Sequence, residues 1–172
     1  KQQMLSLRQD YDVIAIDLPW FGDSFSAGEA NLTTVSEAIV QVIEKLNLSS
    51  VNIVGASYGG FIATNLMFTH DRITKSIIIA SPGPYFSDQD ITALNQRFAI
   101  TKPADLFVPQ DLDQLRRLLD SIYLKPVVLP DFLLDQMYQD YFTAWHKQRI
   151  AMIQSLPSDR NRLLRAHLLR SN

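Results

Sequence analysis

Three short apolar runs, Tyr11–Leu18 (YDVIAIDL), Val51–Val54 and Lys75–Ala80 (KSIIIA), are separated by stretches in which apolar residues recur at helical spacing. Runs of this length that are rich in β-branched residues read as strands, and strands alternating with helices form parallel sheets. Because the runs are continuously apolar, they fit strands covered on both faces. Between the first two runs, Val35, Ala38, Ile39, Val42, Ile43 and Leu46 mark one face of a helix, and Thr34 and Glu37 stand at capping-box spacing ahead of it. A second helix is expected over Phe61–Thr69. The expected core is therefore three parallel strands with flanking helices.

The junction VNIVGASYGGFIATNL concentrates the chemistry. Gly55-Ala56-Ser57-Tyr58-Gly59 matches G-x-S-x-G, letters that recur by chance in about one chain of this length in twenty at average Gly and Ser usage. A strand before the motif and a helix after it are the context in which the serine is a nucleophile on a tight turn. The alternative is a glycine-rich turn whose serine caps the helix. As a nucleophile, Ser57 would hold strained backbone angles and project into solvent, with Gly55 and Gly59 giving the chain room. The Tyr58 N–H, at the start of the helix, would be an oxyanion donor.

A serine nucleophile needs a base and a group that orients it. The three histidines, His70, His146 and His167, suit that role poorly. His70 lies about 18 Å from the serine along the intervening helix at 1.5 Å per residue. His146 falls among Lys147 and Arg149 and is expected to be solvated, and His167 lies in a basic tail.

After Pro84 no convincing strand follows. Leu112, Leu115, Leu119 and Ile122 mark one helix; Leu134, Met137, Tyr138, Tyr141, Phe142 and Trp145 mark another, whose aromatic face is expected to pack against the sheet. The expected layout is a partial core with the serine turn over 1–84, a helical cap over 85–160 and a return segment over 161–172. The start at Lys1, leading straight into a helix tail, and the end in an unterminated helical pattern both read as those of a fragment.

The net charge of -2 gives no field for nucleic acid. With no cysteine there is no thiolate nucleophile, disulfide framework or cysteine metal site. No apolar run reaches the roughly 20 residues that span a bilayer.

These residues resemble the α/β-hydrolases, in particular the branch of monoacylglycerol-lipase-like and carboxylesterase-like enzymes with a helical cap. DLPWFGDS (17–24) is similar to the family's D-x-P-G-x-G-x-S loop, with Trp20 where glycine is usual. VNIVGASYGG (51–60) resembles its nucleophile elbow, and HDRITKSIIIASPGP (70–84) its next helix end and strand. The resemblance implies Ser57 as nucleophile, Tyr58 N–H as one oxyanion donor, no cofactor or metal, and a small hydrophobic acyl-ester substrate. It further implies peripheral lipid contact through the cap, with location open between cytoplasmic and membrane-peripheral. The second oxyanion donor, the acid and the base would lie outside these residues, with Asp88 or Asp90 as outside candidates for the acid. A peptidase, a C–C hydrolase and a non-catalytic binding protein of the same fold stay open as alternatives.

Overall fold

A computed structural model describes residues 2–170, apart from the side chains of 166, 167, 169 and 170. Two helices come first, α1 (Gln2–Leu7) and α2 (Leu32–Lys45), followed by the unit β1 (Val51–Ala56), α3 (Tyr58–Thr69) and β2 (Ile73–Ile79). A helical layer completes the chain: α4 (Asp88–Phe98), α5 (Ala104–Phe107), α6 (Leu112–Ile122), α7 (Asp131–Tyr141) and α8 (His146–Arg170).

β1 and β2 pair in parallel, with Val54 opposite Ile77 and Ala56 opposite Ile79. Helix α3 is their crossover, and its apolar residues run right round it. Nine of its twelve residues are buried, including Tyr58, Phe61, Ile62 and Leu66. A helix apolar on every side must be covered on every side. The sheet lies on one side of α3, and α2 and α8 supply Val35, Ile39, Ile43, Met152 and Leu156 to the same core. Two polar side chains inside it are bonded: Asn65 Nδ2 donates to Ser36 Oγ at 2.7 Å, and Thr64 Oγ1 donates to Gly60 O at 2.8 Å.

The structure corrects several expectations. Tyr11–Leu18 joins no ladder, because no strand lies beside it among the described residues; the sheet has two strands, not three. Nor are the strands covered on both faces, since Val54, Ile77 and Ile79 are half exposed. Helix α2 starts earlier than expected, capped by Asn31, whose side chain accepts from Thr34 N; Thr34 and Glu37 form no box. Helix α7 stops at Tyr141, and Trp145 has a left-handed φ of 58°. Its residues Leu134, Met137, Tyr138 and Phe142 pack on Leu115 and Leu119 of α6 rather than on the sheet, forming a second small core inside the helical layer. Helix α8 runs unbroken across position 160 and joins that layer to the first core.

Candidate active site

Ser57 sits between the end of β1 and the start of α3 at φ 50°, ψ -118°, a conformation that L-residues rarely adopt. Its N–H donates to Ile79 O at 2.9 Å and its carbonyl accepts from Gly60 N–H at 2.9 Å, so the backbone is held on both sides. The side chain is exposed and caps nothing: it makes no hydrogen bond to the first turn of α3. The capped-turn reading therefore lacks the bond that defines it.

Close packing explains the glycines, though not the pair expected. A Cβ on Gly55 would lie 2.0 Å from Gly59 O, and one on Gly60 would lie 2.4 Å from Ser81 Cβ. At Gly59 an added Cβ would meet nothing within 4 Å. The room is thus needed at Gly55 and Gly60, where the turn folds on itself and on the chain after β2.

Tyr58 opens α3, so its N–H has no acceptor one turn back and stands beside Ser57 at the positive end of the helix dipole. Its ring is buried against Phe61, with centroids 6.4 Å apart. The hydroxyl is buried without a hydrogen-bond partner, and its pKa is raised first by burial and then by the negative charge of Asp159. An uncharged hydroxyl suits that position.

No hydrogen bond of the described residues joins Ser57 to a histidine. His70 caps the far end of α3, and its Nδ1 accepts from Arg72 N–H at 3.4 Å. His146 opens α8 and, contrary to the solvated position expected, its Nε2 is buried and unpartnered. The side chain of His167 lies outside the described residues. Asp88 pairs with Arg160 at 2.9 Å, and Asp90 closes a capping box with Ser87, whose hydrogen bonds hold its pKa below the ordinary carboxylate value. Both candidate acids are thus engaged in the framework of α4. Among the described residues, no group of three or more metal-ligating side chains gathers.

The loop after Leu18 holds the residue contact that sequence reasoning missed. Trp20 has φ 66°, the conformation glycine favours, yet it is 1% exposed. Its carbonyl accepts from Arg149 Nε at 2.9 Å, and the same guanidinium donates to Tyr141 O and lies 4.5 Å from the centre of the Phe21 ring. Burial lowers the pKa of Arg149, a buried cation held by carbonyls and an aromatic face.

Known proteins are similar to this chain in sequence and in fold. A Caenorhabditis elegans abhydrolase domain-containing protein is 37% identical over 81 residues, covering 44% of this chain and 18% of the relative. A pimeloyl-[acyl-carrier protein] methyl ester esterase of Aeromonas hydrophila is 30% identical over 87 residues, covering 49% of this chain and 33% of the relative. Among solved structures, an esterase from Exiguobacterium antarcticum superposes with a TM-score of 0.65 at 21% identity, covering 90% of this chain and 59% of that one. The chain therefore spans well under two thirds of the length of each of these proteins. The family model for the alpha/beta hydrolase fold matches residues 3–127, nearly three quarters of the sequence, and the chain belongs to that family.

Proposed function

We propose that this chain carries the nucleophile of a serine hydrolase acting on carboxylic esters or lipids. The observation that carries the reading is the conformation of Ser57: strained, exposed, fixed from both sides and free of any capping bond. Strain of this kind persists only where the surroundings impose it, and it gathers at reactive positions.

In the reaction, Ser57 Oγ attacks the substrate carbonyl carbon while a base takes its proton, giving a tetrahedral oxyanion. The Tyr58 N–H donates to that oxyanion. Collapse expels the alcohol, which receives the proton, and leaves an acyl group on Ser57; water attacks this ester as the same base takes its proton, and collapse releases the acid while that proton returns to Ser57 Oγ. The similarity to a methyl ester esterase supports carboxylic esters as the substrate class. The helical layer would shape an apolar acyl pocket.

The test is turnover of a short p-nitrophenyl ester. The protein expressed from its complete reading frame is expected to hydrolyse it and to lose that activity with Ser57→Ala. The 172 residues alone are expected to show little or none, since among the described residues no histidine is hydrogen-bonded to Ser57. Turnover that survives Ser57→Ala would overturn the proposal.

A further inference from the structure

Residues 81–86 leave β2 beside the Ser57 turn and press on the first two turns of α3. Ser81 abuts Gly60, a Cβ on Gly83 would lie 3.1 Å from Thr64 Oγ1, and the Phe86 ring meets Phe61 edge-on with centroids 5.9 Å apart. The segment is stiff. Pro82 and Pro84 fix φ at two positions, Pro84 is buried, and Tyr85 N–H closes a turn on Pro82 O at 3.2 Å.

At its far end a side chain of the helical layer grips it. Arg160 Nη1 donates to Phe86 O at 3.2 Å and to Asp88 Oδ1 at 2.9 Å, and the guanidinium carbon lies 5.2 Å from the centre of the Phe86 ring. Asp88 is 83% exposed, so the ion pair contributes little and the carbonyl and ring make the grip. Arg160 itself stands on a fixed post: Leu156 and Leu163, four residues before it and three after, share its face of α8 and are buried in the core.

We infer that Arg160 is a positioning residue for Ser57, holding residues 81–86 against α3 so that the serine turn keeps its geometry. The path is short. Ser57 N–H donates to Ile79 O at the end of β2, and Ser81, two residues on, abuts Gly60, whose N–H donates to Ser57 O. A strained conformation persists only while its surroundings over-determine it, so slack in 81–86 reaches both bonds that hold Ser57. The kinetic consequence rests on Ser57 being the nucleophile proposed above; the effect on the turn does not.

The test uses the protein expressed from its complete reading frame. In Arg160→Gln, hydrogen exchange at the Ser57 and Gly60 amides is expected to quicken about tenfold, while amides in the middle of α2 keep their rates. The kcat for a short p-nitrophenyl ester should fall about tenfold with KM within about twofold, because a misaligned nucleophile is felt in the transition state. Arg160→Lys, which keeps a charged donor, should recover most of both losses. Phe86→Leu, which removes the ring under the guanidinium, should quicken the same two amides, and Asp88→Asn should leave their exchange within about twofold of wild type. Unchanged exchange at Ser57 and Gly60 in both Arg160→Gln and Phe86→Leu, equal quickening throughout α2, or a raised KM at constant kcat would overturn the inference. Wild-type protein without Ser57-dependent turnover would refute the nucleophile reading instead, and the exchange rates would then decide the role of Arg160.

Discussion

Arg149 Nε donates a 2.9 Å hydrogen bond to the carbonyl oxygen of Trp20, joining α8 to the loop after Leu18 across 129 positions of sequence. With Tyr141 O and the Phe21 ring as its other partners, this buried guanidinium ties the helical layer to the first core. Arg149→Met would leave two carbonyls without their charged donor and is expected to lower unfolding free energy by about 2–3 kcal/mol. Arg149→Lys, which keeps charge but loses the fork, should fall between. Urea denaturation reads both as a shifted midpoint at unchanged slope. A midpoint unmoved by Arg149→Met would show that this tie contributes nothing.

The glycine doublet separates packing from motif. Gly60→Ala places a methyl 2.4 Å from Ser81 Cβ and is expected to cost several kcal/mol or prevent folding. Gly59→Ala meets open space on a helix and should stabilise by up to about 1 kcal/mol. Thermal unfolding of the two variants should give Tm changes of opposite sign.

Strain at Ser57 gives a stability signature of its own. Ser57→Gly relieves φ 50°, ψ -118° and is expected to raise stability by about 1 kcal/mol. Ser57→Ala removes no capping bond and should stay within about 0.5 kcal/mol of wild type. A loss of 1 kcal/mol or more in Ser57→Ala, measured by denaturant midpoint, would point back to a helix cap.

Tyr58 predicts a pH dependence. Its hydroxyl is buried without a partner, so Tyr58→Phe should be neutral or stabilising by up to about 1 kcal/mol, whereas Tyr58→Ala should cost roughly 3–5 kcal/mol. Burial raises the pKa of the folded state, so the unfolded chain gives up its proton first as pH rises. The unfolded state then binds fewer protons, and stability falls from about pH 10, the ordinary tyrosine value, upward. This contribution should be missing from the Tyr58→Phe profile.

Local pattern carried most of the fold. β1, α3, β2 and α6 lie close to where periodicity places them, because each is set by neighbours in sequence. Ladder membership is different: Tyr11–Leu18 has the composition of a strand, but composition cannot supply the neighbouring chain a strand bonds to. The serine turn was legible because strand, glycines and helix are contiguous. Which glycine matters was not, since the clash at Gly60 comes from Ser81, beyond β2. The Trp20–Arg149 contact was hidden for the same reason, and Trp20 in a glycine conformation violates the local rule that would have located it.

Covalent capture asks whether Ser57 is a nucleophile. The protein expressed from its complete reading frame should be treated with a fluorophosphonate and its peptides mapped by mass spectrometry. One adduct is predicted, on Ser57, absent from Ser57→Ala and abolished by prior unfolding. A folded protein that stays unlabelled, or carries its adduct on another serine, would show that Ser57 is not the nucleophile.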